Sequence, residues 1–131
     1  MEKVIHTSGK RKRAVARATL RAGQGKIRIN KKLLDTYSSS IFRTRIQEPL
    51  ILAGTQGQAV NINVTVLGGG TSGQAEAARL AIGRALVQHD KKLKKVFEDY
   101  DRQLLVADVR RKETNKPNIS KARAKRQKSY R

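Results

Sequence analysis

Hydrophobic and polar residues alternate along two stretches of the chain, and this alternation predicts two β-strands. Residues 60–66 read Val-Asn-Ile-Asn-Val-Thr-Val, so every second side chain is apolar and lies on one face of a strand. Residues 13–22 alternate in the same way. Small apolar side chains occupy one side of this second strand, and the other side carries Arg13, Arg17 and Arg21.

Two further strands are predicted from shorter patterns. Residues 26–29 alternate again after the Gly23-Gln24-Gly25 turn, which predicts an antiparallel hairpin between residues 13–22 and 26–29. The apolar run at residues 104–107 predicts a last, buried strand.

Helical periodicity is strongest in residues 73–89. Alanine and leucine side chains recur there at helical spacing, and Arg79 lies at the border of the apolar stripe. Residues 91–100 predict a second, strongly charged helix. The alanines of residues 73–89 would allow this helix to approach a sheet closely.

Two shorter helices are predicted between the strand at residues 26–29 and the strand at residues 60–66. Asn30 is a good N-terminal capping residue for a helix over residues 31–37. Another helix is predicted over residues 40–47, with Pro49 breaking it, since proline disfavours helical backbone at the residue before it.

The charge divides the chain into a body, residues 1–109, and a basic tail, residues 110–131. The chain has 131 residues, with 30 Lys and Arg against 10 Asp and Glu, a formal net charge of +20. Residues 3–32 carry eleven Lys or Arg and no acid, and residues 110–131 carry ten with only Glu113. The tail lacks any apolar period and cannot offset its ordering entropy alone, so we expect it to be extended. Such charge indicates a polyanionic partner rather than merely solvated termini.

Enzymatic, metal-dependent and membrane functions have little support. The absence of cysteine excludes disulfides, thiolate zinc sites and thiol nucleophiles. The two histidines, His6 and His89, lack a visible serine and acid partner, and no spacing predicts a metal or cofactor site. Apolar runs reach only four residues, and residues 1–10 resemble no secretory signal. We expect a cytoplasmic protein that is not an enzyme and takes no cofactor.

The loop at residues 68–73 reads Gly-Gly-Gly-Thr-Ser-Gly, which matches the G-x-G-x-x-G pattern between a strand and a helix. Glycines let a phosphate approach the backbone, and a helix N-terminus favours an anion. Three interpretations stay open at this point: a nucleotide cofactor site, a plain turn, and a contact to RNA phosphate.

The basic run Gly9-Lys10-Arg11-Lys12-Arg13 leads into the strand that bears Arg17 and Arg21, and it predicts a stripe that follows a phosphate backbone. A nuclear-localisation patch is the weaker interpretation of this run. The aromatic fraction is only 4%, so base stacking cannot dominate. No helix-turn-helix or zinc-finger spacing occurs, and folded RNA is therefore favoured over DNA.

Four motifs in register resemble one family, ribosomal protein nine of the small subunit, in its archaeal and eukaryotic branch. They are residues 9–18 (GKRKRAVARA), 48–50 (EPL), 68–79 (GGGTSGQAEAAR) and 125–131 (KRQKSYR). The resemblance implies a single small α+β domain, a mixed sheet with helices on one face, similar to the second domain of ribosomal protein five of that subunit, plus an extended basic C-terminal tail.

The resemblance also implies partners: small-subunit ribosomal RNA, other proteins of the subunit head and peptidyl-site transfer RNA, with no self-association. The predicted contacts to transfer RNA are Lys128, Tyr130 and Arg131. The predicted contacts to ribosomal RNA are basic side chains of both segments and two loop glycines: Lys10, Arg11, Lys12, Arg13, Arg17, Arg21, Gly69, Gly70, Arg79, Arg110, Arg111, Lys116, Lys121, Arg123, Lys125 and Arg126.

Two other function classes are compatible with parts of the sequence. The loop at residues 68–73 alone would suit a small nucleotide-dependent enzyme, and the net charge alone would suit a histone-like DNA compactor. The predicted function is a structural constituent of the small ribosomal subunit that does no chemistry.

Overall fold

The alternating strand predicted from residues 60–66 lies in the middle of a mixed sheet. The computed structural model describes residues 3–125, which form a five-stranded sheet and four α-helices. Two single turns of 3₁₀-helix, Leu34–Thr36 and Arg102–Leu104, complete the secondary structure of these residues. The strands and α-helices are, in chain order, β1 (Ile5–Arg11), β2 (Ala14–Ala22), β3 (Ile27–Ile29), β4 (Lys32–Leu33), α1 (Ser40–Ala53), α2 (Thr55–Gln58), β5 (Val60–Leu67), α3 (Thr71–His89) and α4 (Leu93–Tyr100).

The order of the strands is β1-β2-β5-β3-β4, so the predicted hairpin between β2 and β3 is wrong. β5 lies between them, antiparallel to β2 and parallel to β3. The turn after β2 bonds to β5 instead of closing a hairpin. The Gly23 N–H donates to the Ala59 carbonyl at 3.0 Å, and the N–H groups of Gln24 and Lys26 donate to the Asn61 Oδ1, each at 3.0 Å.

β1 is a strand that the sequence pattern did not predict. It pairs antiparallel with β2, from Ile5 opposite Leu20 to Arg11 opposite Ala14. Lys12 and Arg13 form the two-residue turn between the strands, and Lys12 has a φ of 54°, as such tight turns require. The basic run is therefore partly strand and partly turn.

One face of the sheet is covered by α3, as the alanine-rich periodicity predicts. The helix packs on β1, β2 and β5. The apolar sides of β2 and β5 are almost completely buried, and most of α3 is buried against them. The small alanine side chains on both surfaces bring the helix close to the sheet, and the mixed sheet with helices on it confirms the predicted α+β class.

The two short helices were predicted incorrectly in part. α1 continues through Pro49 to Ala53, because it packs along α3 with the Pro49 ring fully buried, and this packing outweighs the missing N–H of proline. Asn30 does not begin a helix. Asn30 and Lys31 have φ values of 50° and 71° and form the turn between β3 and β4, a conformation that asparagine tolerates well.

The predicted buried strand at residues 104–107 is also wrong: of its four residues only Leu104 is buried, and Val106 is exposed. Leu104 is fully buried, but it ends the 3₁₀ turn Arg102–Leu104 and pairs with no strand of the described sheet. Its carbonyl lies against α3 at Gly83, where a Cβ atom would stand 2.6 Å from the Leu104 oxygen. Glycine at this position lets the chain after α4 pass directly over the helix.

We predict that Gly83→Ala destabilises the protein although alanine is the better helix former. Alanine gains about 1 kcal/mol of helix propensity over glycine, but overpacking against a backbone oxygen costs about 1–3 kcal/mol. Gly73→Ala in the same helix is the matched control, since the nearest atom to its Cβ would be the Arg11 oxygen at 3.5 Å. It should leave stability unchanged or raise it. Urea unfolding followed by circular dichroism compares them, and equal stabilities would contradict the close approach at Gly83.

Candidate nucleic-acid interface

The outer face of the sheet, opposite α3, carries exposed basic side chains. Arg17 and Arg21 alternate with the buried residues of β2, as predicted, and both are exposed. Lys10 on β1 and Arg28 on β3 point to the same face by the same alternation, and they are also exposed. The strands β1, β2 and β3 therefore present cations on one rigid face of the sheet.

A groove lies at one end of the sheet, between the β1–β2 turn and the start of α3. Its volume is about 540 Å³. Cations from the turn and from the start of the tail line it together with the glycine loop: Arg11, Lys12, Arg13, Gly69, Gly70, Ser72, Gly73, Arg111 and Lys112. The structure thus brings together predicted site residues that lie about 100 positions apart in the sequence.

The glycine loop presents the N-terminus of α3 to this groove. Gly68 and Gly69 have φ values of 76° and 65°, and a Cβ on Gly68 would lie 2.7 Å from the Arg13 oxygen. Gly70, the N-cap residue, has no side chain to accept from the first N–H groups of the helix. Those N–H groups lack intrahelical partners and carry the positive end of the helix dipole. The groove combines fixed dipoles with side-chain cations, which suits a phosphate.

The first residues of the tail are attached to the body by Asp108. Its side chain is only 9% exposed and forms an ion pair with Arg11. The same carboxylate accepts hydrogen bonds from the backbone N–H of Arg110 at 2.9 Å and from the Arg110 guanidinium. Arg111 donates to the Lys12 carbonyl at 3.1 Å, so the start of the tail lies against the β1–β2 turn.

Arg84 adds a second attachment of the same segment. Its Nε donates to the Leu105 carbonyl at 3.1 Å, and its guanidinium donates to the Ser8 carbonyl at 2.9 Å. The side chain therefore joins α3, the chain after α4 and the edge strand β1. This contact and those of Asp108 direct the tail toward the groove.

Arg79 does not reach the basic surface. Its side chain is 7% exposed and donates to Glu48 at 2.9 and 2.6 Å and to Asp101 at 3.0 Å. Burial disfavours the guanidinium charge, but hydrogen bonds and the negative charges of the two carboxylates outweigh it and raise the pKa of Arg79. Because its guanidinium donates to α1 and to the residue that ends α4, Arg79 is turned away from the groove and the outer sheet face.

The described part of the tail, to Lys125, is exposed along most of its length. Lys116, Lys121, Arg123 and Lys125 are all exposed. Glu113 pairs with Lys116 at 3.2 Å and with Arg123 at 2.8 Å, within the tail itself. Arg126, Lys128, Tyr130 and Arg131, which were also predicted to contact RNA, lie outside the described residues.

Several contributors to these surfaces, among them Lys112 in the groove, were missed by sequence reasoning. The alternation of β3 places Arg28 on the outer face, although the sequence analysis did not name Arg28 as a contact. Asp108 and Arg84 carry no local signal, because their partners lie 97 and 76 positions away. The one available signal in the sequence is that Asp108 is an isolated acid just before a basic tail.

Comparison with known proteins identifies the class to which the chain belongs. Residues 9–131 match the family described as ribosomal protein S9/S16. The small ribosomal subunit protein uS9 of Methanococcus vannielii is 50% identical over 133 aligned positions, which cover 98% of this chain and 99% of that protein. The uS9 protein of Methanococcus maripaludis strain C5 is 49% identical over the same shares.

The chain is therefore a ribosomal protein, and its role is structural rather than enzymatic. Within that class it belongs to the ribosomal protein S9/S16 family, a family of the small subunit, and both relatives come from archaea. Membership assigns it to the cytoplasmic ribosome and confirms the resemblance drawn from the four motifs. Among the described residues, no helix is long and apolar enough to cross a membrane.

We predict that Asp108→Ala loosens the start of the tail. The change removes the partner of Arg11 and the acceptor of the Arg110 N–H. Hydrogen bonds to charged groups contribute about 1.5–3 kcal/mol, so amide exchange at Arg110 should accelerate by about tenfold or more. Glu113→Ala is the matched control, since Glu113 pairs only with tail residues in the described chain. Equal exchange in both variants would show that Asp108 does not attach the tail.

Proposed function

We propose that this protein binds small-subunit ribosomal RNA through two basic surfaces of its body and through its tail, and that the tip of the tail contacts peptidyl-site transfer RNA. Other proteins of the subunit head are its expected neighbours. The protein neutralises phosphate as the RNA folds and performs no chemical step.

The groove at the start of α3 carries this proposal. It joins uncapped helix N–H groups, open glycine backbone and cations from two distant segments in one place. An enzyme that uses the same loop for a nucleotide would need a residue that acts on it. The groove is lined instead by cations, glycines and one serine, which suit the binding of a phosphate without its transfer.

The exposed sheet face supports a further set of phosphate contacts. Its arginines stand on a rigid strand, so they lose little freedom on binding. Arginine grips phosphate oxygens through two N–H groups at once. Arg17 and Arg21 lie on this face and Arg13 lies in the adjoining turn, so one RNA backbone could follow all three.

We predict that the triple variant with Arg13, Arg17 and Arg21 changed to Gln binds ribosomal RNA more weakly and with a flatter salt dependence. Each lost phosphate contact lowers the log–log salt slope by about 0.7–0.9. The fold should persist, because all three side chains are exposed. Filter binding to full-length small-subunit RNA at several salt concentrations measures the slope.

The control for this triple variant changes Lys91, Lys92 and Lys95 to Gln. These lysines are exposed at the start of α4 and line neither the groove nor the outer sheet face. The control removes the same charge from another surface and should retain most of the slope. Equal slopes for the wild type and the arginine variant would refute phosphate contact at the stripe.

The contact to transfer RNA rests on the closing motif KRQKSYR and on the reach of the tail. Residues 110–131 can span at most about 70–80 Å, at roughly 3.3–3.6 Å per residue. Asp108 and Arg111 fix one end of this segment at the body. Repulsion among ten basic side chains favours extension, and surrounding RNA would neutralise them along the path.

We predict that replacing residues 128–131 by Gly-Ser-Gly-Ser leaves subunit assembly intact but weakens transfer RNA binding in the peptidyl site. The replacement keeps the length of the tail and removes the positive charges of Lys128 and Arg131. Contacts to phosphate are independent of anticodon, so every transfer RNA should lose affinity to a similar extent. Nitrocellulose binding to purified variant subunits measures this loss, and unchanged affinity would leave the tail with a role in assembly alone.

A further inference from the structure

A small concavity on the outer sheet face lies away from the groove at α3. Its volume is about 270 Å³, and it spans the strands β2, β5 and β3. The side chains that line it, together with Ala22, are three cations and two amides: Arg21, Lys26, Arg28, Asn61 and Asn63. No residue among these six is acidic, although the chain has ten acids.

The strand register places the two amides between the two guanidinium groups. Arg21 on β2 stands directly opposite Asn61 on β5, and Arg28 on β3 stands directly opposite Asn63. Neighbouring strands are about 4.8 Å apart and the two arginines are offset by two residues along β5, so their backbones are separated by about 12 Å. Both side chains can thus lean over the asparagine column that lies between them.

The amide of Asn61 has a fixed orientation. Its Oδ1 accepts hydrogen bonds from the N–H groups of Gln24 and Lys26, each at 3.0 Å. Only a carbonyl oxygen can accept from two N–H donors, so the Nδ2 group is left to donate. Together with the three cations, this makes the concavity rich in donors that are held by the sheet.

We propose that this concavity is a defined phosphate site within the outer sheet face, in which Arg21, Arg28 and the Nδ2 group of Asn61 hold one phosphodiester of the RNA backbone. The site rests on the proposed function and extends it to residues outside the predicted stripe. The amide of Asn63 lies beside this phosphate and is available to the sugar or base of the same nucleotide.

The lining favours RNA over an acidic protein segment. Protein interfaces have an apolar core with aromatic anchors, and RNA interfaces are polar and positively charged. Ala22 is the single apolar side chain among the described residues that line this concavity. The surface is also continuous with Arg17, two alternations away from Arg21 along β2, so RNA bound here could cross the sheet.

Asn61→Asp tests the site without removing its structural bonds. An aspartate at this position still accepts from the N–H groups of Gln24 and Lys26, but it cannot donate and it repels phosphate. Affinity for full-length small-subunit RNA should fall by about tenfold or more. Gln88→Glu on α3 makes the same change of charge at another exposed position and should alter affinity by less than about twofold.

A second variant, Arg28→Gln, keeps the test independent of the turn around Asn61. It should also weaken binding, with an unfolding midpoint close to that of the wild type because Arg28 is exposed. Wild-type affinity in both Asn61→Asp and Arg28→Gln would overturn the proposal.

Directed cleavage separates this site from the groove. Because the chain has no cysteine, single variants Thr65→Cys on the sheet face and Ser72→Cys at the groove each accept one tethered iron chelate. Radical cleavage of RNA from both positions, at different nucleotides, supports two sites. Cleavage from Ser72→Cys alone overturns the sheet site but retains RNA binding at the groove, on which the proposed function rests, and cleavage from neither position contradicts both.

Discussion

The packing of α3 on one face of the sheet positions the basic surfaces of the body. The helix lies close to β1, β2 and β5 because alanine side chains meet across the contact, and it leaves the opposite face of those strands exposed. Its N-terminus meets the β1–β2 turn and forms the groove, while Gly83 and Arg84 guide the chain after α4 back toward that turn. If the helix were held further from the sheet, the groove would open and the tail would lose its direction.

Acidic residues organise this polycation more than they neutralise it. Glu48 and Asp101 hold Arg79 where α1, α3 and the end of α4 meet, Glu76 pairs with Arg45 across α1 and α3, and Asp108 holds Arg11 at the start of the tail. These pairs hold Arg79 within the body, whereas Arg11 still lines the groove while it is paired with Asp108. Exposed cations lie on the outer sheet face, in the groove, along the described tail and at the start of α4, and the proposed RNA contacts use the first three of these sets.

Hydrophobic patterns within short stretches of sequence predicted the elements whose side chains follow one regular period. The alternation of residues 60–66 and the periodicity of residues 73–89 correspond to β5 and α3. The strand and the helix each have one apolar face, and these two faces pack on each other. The errors arose where distant contacts outweigh local preference: β5 separates β2 from β3, α1 continues past Pro49, and Leu104 is buried without joining a strand. The burial and ion pairs of Arg79 could not be predicted from its position beside an apolar stripe, because its partners lie 31 and 22 positions away in the sequence.

Division of labour between the body and the tail follows from rigidity. The sheet and the helix N-terminus hold their donors at fixed spacing, so in the proposed function the body would meet RNA phosphate at little entropic cost. The described part of the tail has few apolar residues and no apolar period, so it lacks a core of its own, and in the proposed function RNA phosphate neutralises its charge. Asp108 stands at the boundary between the body and the tail: its contacts with Arg11 and Arg110 give the tail a defined starting point and direction.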